Sequence, residues 1–522
     1  MTTVQRGTLA AAILGSAIVF LDGSIVSIAL PQIGKVLPAT IVGTLEGQTY
    51  VVSGYLATLA ALLILAGALG DFYGRRRMFL IGLAGFGITS VLCGLAPTLE
   101  VLALARVLQG AAGALLVPGS LSIITALFEG PERGRAFGIW AAATSAAATL
   151  GPPIGGIIVE ALSWRAAFLI NMPLVLIAIL LASRYMPETR DERAGGGFDW
   201  LGSIVAALAI GGLAFGIVRE QEHRWQDSLA LTAIVVGVAA TIAFPILMAV
   251  RPNPLVPLSL FRNRNFAIVN LSTLLIYGAL YANFTFQGLF LQNILGYTPL
   301  AAAVVGLPVG ILLTLLSARA GTLAGRLGAR PFLALGPLIM AGGMLWWARI
   351  PADSAAWTAG VGAGLSLPPP AVFVDVLPAV LLFGVGISLI VAPLTTTLMS
   401  SVPVRNAGLG SAINNAISRV GQPLLSAVVF IVVSRSFYVT LAALAPGLDP
   451  GSEALRTVVQ PLNPPAAGAS AELVTAARIA STDAYHLAAL VAAALLALGA
   501  AVNWFGLRPG HGATADSPPK AD

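Results

Sequence analysis

Gly67-Ala68-Leu69-Gly70-Asp71-Phe72-Tyr73-Gly74-Arg75-Arg76 closes the second long apolar run of this chain, and Gly321-Thr322-Leu323-Ala324-Gly325-Arg326-Leu327-Gly328-Ala329-Arg330 closes the tenth. The two align without gaps as Gly-x-Leu-x-x-x-x-Gly-x-Arg. Each copy follows the second run of a group of six, once runs seven and eight are set aside. Parallel repeats about an axis normal to the membrane are how many transporters build a central site. The plainer reading is that any short cytoplasmic loop collects glycine and arginine. The shared register argues for the repeat.

The runs themselves fix the class. A membrane-crossing helix needs about 20 mostly apolar residues. Such runs lie at roughly 8–31, 48–70, 77–96, 100–127, 134–159, 164–185, 199–218, 229–250, 265–294, 299–319, 331–349, 372–399, 405–434 and 484–505. The 522 residues are 57% hydrophobic and only 10% charged, with a mean hydropathy of +0.90, whereas soluble domains carry about 25% charged residues. The chain therefore reads as an all-α polytopic membrane protein with 14 transmembrane helices. The first run reads as a span and not as a cleavable leader, being too long and holding Asp22. A single cysteine, Cys93, excludes an internal disulfide and a thiolate metal cluster. The three histidines, His223, His486 and His511, are too dispersed for a metal site, so neither metal nor cofactor is expected. The net charge of +6 fits arginine-rich inner loops better than a nucleic-acid partner.

An even number of spans puts both termini on one side. Loops after even-numbered spans, with the termini, hold about 18 basic residues, among them Arg75, Arg76, Arg77, Arg133, Arg135, Arg251 and Arg262, against about 8 in the opposite loops. That bias places both termini in the cytoplasm of a cell that carries the protein in its inner or plasma membrane. Two long outer loops are expected at about Ile350–Ala371 and Arg435–Asp483. Within the second, Ala471–Ser481 reads as a short interfacial helix or a plain surface loop. The expected division is a six-helix bundle over 1–190, two additional helices over 191–262, and a second six-helix bundle over 263–508. A polar, disordered cytoplasmic tail over 509–522 follows.

Some residues stand out against the apolar background. Asp22, in Leu21-Asp22-Gly23 through Ala29-Leu30-Pro31, is the one acid placed deep in a span. An ionised carboxylate in hydrocarbon is costly, which makes it a functional hypothesis by default. Burial favours its protonated form, as a proton carrier requires. Arg106 sits at a comparable depth in span four and needs a partner. A bare structural ion pair is the other reading of these two. Gly151-Pro152-Pro153-Ile154-Gly155-Gly156 would break or bend span five, because proline removes a backbone donor; an ordinary packing kink is the alternative. Asp71 stands beside Arg75 and Arg76 at the inner mouth, while Arg77 reads as a topology anchor. Gln287, Asn414, Asn415 and Arg419 would line a substrate cavity, and interhelical hydrogen bonding is an equal reading of them.

The first copy of the repeat resembles the signature loop of the major facilitator superfamily, Gly-x-Leu-x-Asp-x-x-Gly-Arg-Arg. Further stretches resemble its fourteen-span drug/proton antiporter branch. They are Leu21-Asp22 with Ala29-Leu30-Pro31, Arg106-Val107-Leu108-Gln109-Gly110, and Gly151 through Gly156. Trp164-Arg165 through Asn171-Met172-Pro173, Phe198 through Gly202, and Leu291-Gln292 through Gly296-Tyr297 complete the set, in order and over nearly the whole chain. The chain departs from that pattern at Phe72, where the family loop is usually basic, and at Gly325, where the second copy lacks the acid. No second acid lies deep in a span, which puts dication export in doubt.

The resemblance implies two six-helix bundles plus two peripheral spans. It assigns proton coupling to Asp22 and Arg106. It assigns a cytoplasmic gate to Gly67, Asp71, Gly74 and Arg75, with Asp71 docking on the start of span thirteen near Arg405-Asn406-Ala407-Gly408, where a helix N-terminus favours a carboxylate. It makes Gly151, Pro152, Gly155 and Gly156 an antiporter kink. The expected function is proton-coupled export of hydrophobic or amphiphilic compounds by alternating access, as in multidrug efflux. Export of one endogenous metabolite or lipid is the alternative, and proton-coupled uptake is a third. The expected partners are protons, an amphiphilic small molecule and the lipid bilayer, with the chain a monomer. No constellation for a membrane enzyme is present.

Overall fold

The computed structural model describes all residues except 39–43, 191–196, 224–226, 360–366, 447–451, 453–454, 456–457, 466–467 and 509–522. The expected disordered tail therefore lies outside the described residues. Among the described residues, fourteen long helical stretches follow one another. They are α1 (Thr3–Val36), α2 (Thr44–Tyr73), α3 (Arg75–Gly94), α4 (Leu99–Leu127), α5 (Gly130–Ala161), α6 (Ala166–Tyr185) and α7 (Trp200–His223). Next come α8 (Ser228–Val250), α9 (Arg264–Ile294), α10 (Pro299–Leu327), α11 (Arg330–Trp347), α12 (Val372–Ser400), α13 (Val404–Leu444) and α14 (Ala471–Gly506). They coincide in order with the fourteen apolar runs. Among the described residues, 12 helices are long and apolar enough to cross a membrane. The remaining two are α5, 32 residues long, and α11, 18 residues long.

Packing divides the helices into two groups. In the first, α1 lies against α4, α5 and α6, α2 against α4, and α3 against α4 and α6. In the second, α9 lies against α13 and α14, α10 against α12, and α11 against α12 and α14. The groups meet along two seams, α2 with α13 and α5 with α10. Exchanging each helix for its counterpart in the other group turns one seam into the other, as the sequence repeat requires. Helices α7 and α8 pack on each other, and α7 also rests on α2 and α13. Only 17% of the apolar window of α8 is buried, so α8 is the outermost element.

Proline explains two interruptions. Helix α4 turns at Leu115 between Ala114 and Leu116, where the Pro118 ring would crowd the Ala114 carbonyl four residues back. Helix α6 turns at Ile170, where Pro173 does the same to Leu169. Of the break or bend expected in span five, the break is absent: α5 is helical from Gly130 to Ala161. Gly151 and Gly155 serve close approach instead. A Cβ on Gly151 would overlap Ser24 Oγ, and one on Gly155 would sit 3.2 Å from Ile25 Cα. The side chains of Pro152 and Pro153 and the surroundings of Gly156 lie outside the described residues.

Two boundaries differ from the hydropathy reading. Helix α13 continues to Leu444, past Arg435, and α14 starts at Ala471 under an N-cap in which Leu473 N donates to Ser470 Oγ. The segment Ala471–Ser481 is thus the first part of a long span helix and not a separate interfacial one. Polar residues such as Arg478 and Asp483 end an apolar window without ending the backbone ladder. The chain between these helices covers 445–470.

Candidate functional site

At mid-depth in the first bundle, α1 presents Asp22, which is fully buried. Its Oδ2 accepts from Arg106 Nη1 on α4. Its Oδ1 accepts from Asn171 Nδ2 on α6 at 2.9 Å and from Gln109 Nε2 on α4 at 3.2 Å. Arg106 Nη1 also donates to Gln109 Oε1 at 2.8 Å, and its Nε donates to Val51 O at 3.2 Å. The guanidinium lies 3.9 Å from the Tyr55 ring centre. Asn171 Nδ2 further donates to Ser90 Oγ at 3.0 Å, and Ser90 donates to Phe168 O at 2.8 Å. Cys93 Sγ donates to Gln109 Oε1 at 3.4 Å.

The local sequence dictates this convergence. Arg106 and Gln109 are three residues apart, so one helix face carries both. Pro173 breaks α6 just before Asn171, which begins the second segment with its amide turned inward. A carboxylate accepts hydrogen bonds and cannot donate them, so the amide nitrogens of Asn171 and Gln109 must face it. The cluster thus offers Asp22 one arginine and two amides as donors. Removing one member of a buried ion pair costs about 3–5 kcal/mol, because the other is left uncompensated.

At the repeated-loop end of the α2/α13 seam stands Asp71. Its Oδ1 accepts from Gly408 N at 3.1 Å and its Oδ2 from Leu409 N at 2.9 Å. These are free amides of the first turn of α13, where a helix favours negative charge. Arg75 Nε donates to Asp71 Oδ1 at 2.9 Å, and Arg75 Nη2 donates to Val404 O. Both side chains are buried. Gly67 lets the helices touch: a Cβ there would overlap Gly408 O. Gly74 turns the chain between α2 and α3 at φ 114°, and its repeat counterpart Gly328 adopts φ 87°. Both lie in the region that favours glycine, which explains why the eighth position of the repeat is fixed. Glu188, arriving from the end of α6, caps α3 by accepting from Arg76 N at 3.0 Å and Arg77 N at 3.1 Å. Arg77 itself is exposed.

The α5/α10 seam repeats the backbone contact without the charge. A Cβ on Gly134 would lie 2.9 Å from Gly321 O, and one on Gly321 would lie 2.7 Å from Gly134 O. At the position equivalent to Asp71 stands Gly325, facing Pro131 Cα at 3.8 Å from an added Cβ. Both seams bring backbone close to backbone beside the repeated loops, and at one of them a carboxylate accepts hydrogen bonds from the facing helix.

The residues read as a substrate cavity separate into three kinds. Asn414 is buried and donates to Asn270 Oδ1 at 3.1 Å and Thr273 Oγ1 at 2.8 Å, tying α13 to α9. Asn415 donates to Ser411 O on its own helix, and Gln287 accepts from Asn283 on its own helix. Arg419 is half-buried and has no hydrogen bond or ion pair among the described residues. Gln109 and Asn171 stand inside stretches that carry the family resemblance but have no signal of their own, and nothing in the sequence singles out Ser90 or Tyr55. Asp199 likewise stands inside such a stretch. It receives Gly202 N at 2.9 Å, Leu255 N at 3.0 Å and Arg251 Nη2 at 2.7 Å, fixing α7 to the end of α8.

Two six-helix groups meeting along two equivalent seams, with a buried ion pair at mid-depth, define a two-bundle membrane transporter. The chain belongs to the Major Facilitator Superfamily, whose profile matches residues 12–426. It is 32% identical over 443 residues to the multidrug resistance protein Stp of Mycobacterium tuberculosis, covering 84% of this chain and 78% of that one. It is 30% identical to the tetracenomycin C resistance and export protein of Streptomyces glaucescens, over 82% of this chain and 76% of that one. Among solved structures, the proton:xylose symporter XylE superposes with a TM-score of 0.59 at 14% identity, covering 96% of each chain, which is a likeness of fold.

Proposed function

We propose that this protein exports hydrophobic or amphiphilic compounds in exchange for protons, by alternating access between a bundle over 1–190 and one over 263–508. The observation that carries the reading is the Asp22 cluster: a titratable group buried at mid-depth in a transporter, on α1 and tied to α4 and α6. Asp22 and Arg106 serve proton coupling, and Gly67, Asp71, Gly74 and Arg75 serve the inner gate. Gly151 and Gly155 hold α5 against α1 during closure. The segment 191–262 adds two peripheral helices, and 509–522 is a cytoplasmic tail. The protein works as a monomer, crosses the cell membrane fourteen times and keeps both termini in the cytoplasm. The export direction is supported by relatives whose names are multidrug resistance protein and resistance and export protein. The second of those names mentions one compound, which favours a narrow-substrate exporter as a second reading. Inverted vesicles loaded with a panel of dyes and antibiotics, with and without an imposed pH gradient, test the proposal. Gradient-dependent accumulation of several unrelated compounds is expected, one compound alone would select the second reading, and no accumulation would defeat both.

A further inference from the structure

The centre of this transporter holds more base than acid. Arg419 lies about 12 residues into α13 from Ala407, roughly 18 Å along the helix. Helix α2 runs antiparallel beside it, meeting α13 at Gly67 and Gly408. The same distance back along α2 is Tyr55, which comes level with Arg419. The Tyr55 ring also carries the Arg106 guanidinium at 3.9 Å from its centre.

The charges around Asp22 can be counted from every helix that packs near it. From α4 come Arg106 and Gln109, from α6 Asn171, from α3 Ser90 and Cys93, and from α2 Tyr55. Asp22 and Arg106 cancel as a pair. Arg419 then leaves one net positive charge at mid-depth, and protonation of Asp22 leaves two. Among the described residues no other carboxylate lies at this level, since Glu100 is in the first turn of α4 and Asp71 is at the inner seam. A guanidinium at this depth is costly and marks a substrate path. It offers five donors and no acceptor.

We infer that Arg419 determines specificity: it receives amphiphiles through an acceptor oxygen, a carboxylate, enolate or phenolate, and turns away permanently cationic amphiphiles. This rests on the export reading above. It also bears on coupling. The oxygens of Asp22 are taken by Arg106, Gln109 and Asn171, so proton and substrate occupy different groups. Their linkage runs through the opening and closing of the seams and not through competition for one carboxylate.

Fluorescein and rhodamine 123, xanthene dyes of similar size and opposite charge, test the inference by fluorescence anisotropy with the purified full-length protein. Wild type is expected to bind fluorescein and reject rhodamine 123. Arg419→Gln should weaken fluorescein binding about 10- to 100-fold, the worth of a hydrogen bond to a charged group, and should admit rhodamine 123. Arg419→Lys keeps the charge and loses the planar fork, so it should still reject rhodamine 123 while binding fluorescein less tightly than wild type. Equal binding of both dyes by wild type, binding of neither, or an Arg419→Gln protein indistinguishable from wild type would each overturn the inference. Failure of the export reading looks different: no compound of either charge then accumulates in vesicles under a pH gradient.

Discussion

Replacing Asp71 by asparagine removes the charge from the inner latch and leaves its size unchanged. Two backbone donors, Gly408 N and Leu409 N, now point at one oxygen apiece. Asparagine keeps one of those oxygens and sets an N–H against the other donor. Losing one charge-assisted bond costs about 1.5–3 kcal/mol. Arg75, 2% exposed, loses its ion partner and keeps only Val404 O, and a buried charge deprived of its partner costs about 3–5 kcal/mol. The two penalties overlap, so about 3–5 kcal/mol is the expected shift away from the inner-closed state, roughly a 150- to 5,000-fold change in its equilibrium. Spin labels at the exposed positions Arg77 and Arg405, on a Cys93→Ala background, report the separation of the α3 and α13 inner ends. Asp71→Asn should move most of the population to long distances and abolish transport with expression near normal. Arg77→Ala without labels should transport almost normally, because Glu188 holds the Arg77 backbone and not its side chain. An unchanged distance distribution in Asp71→Asn, or equal loss of transport in both variants, would show that the loop is a charge anchor and not a latch.

Three further outcomes are expected. Gly67→Ala should block inner closure and transport, since its Cβ would overlap Gly408 O, whereas Gly70→Ala, with nothing within 4 Å, should be tolerated; cysteine accessibility of the inner seam distinguishes them. The Asp199 carboxyl is pushed up by burial, and more strongly held down by Gly202 N–H, Arg251 and Leu255 N–H, so it stays below the usual carboxylate range. Its contribution to docking α7 and α8 is full above the ordinary carboxylate value of about 4 and is lost as pH falls through the lower folded value; hydrogen exchange in α7 should rise only in that acid range, and should be raised already at neutral pH in Asp199→Asn. Reporter fusions should place Pro131, Asp191 and Pro518 in the cytoplasm and Gln226 and Pro464 outside; matching reports from Asp191 and Gln226 would remove α7 from the spans.

Most of the architecture could be read from the sequence because hydrocarbon imposes it. Backbone groups in a bilayer must be satisfied within each segment, so apolar runs become helices, and the repeated loop announces two related halves. The depth of Asp22 and Arg106 followed from helical rise alone. Their amide partners did not, because Gln109 and Asn171 come together only when α4 and α6 pack against α1. Pro173 was a usable signal: it breaks α6 where Asn171 must turn inward. Asn414 shows why polar side chains in spans are ambiguous, since the same amide serves a cavity or a bond to α9. The unbroken α5 shows that a glycine–proline run need not interrupt a helix held on both sides, by α1 and by α10. Hydropathy cut α14 short because charge ends an apolar window where it does not end a helix.

The central claim is that Asp22 carries the proton. Asp22→Asn keeps the size and one acceptor oxygen, removes the titration, and leaves Arg106 with Gln109 Oε1, Val51 O and the Tyr55 ring for company. Moving one charge through 100 mV supplies about 2.3 kcal/mol, and that work reaches the substrate only if protonation and cavity orientation are linked. The direct measurement is proton release from purified protein on adding a transported compound in weak buffer, wild type against Asp22→Asn. The account predicts stoichiometric release from wild type and none from Asp22→Asn, with the variant still binding the compound. Equal release from both proteins would contradict it and move the proton path away from Asp22.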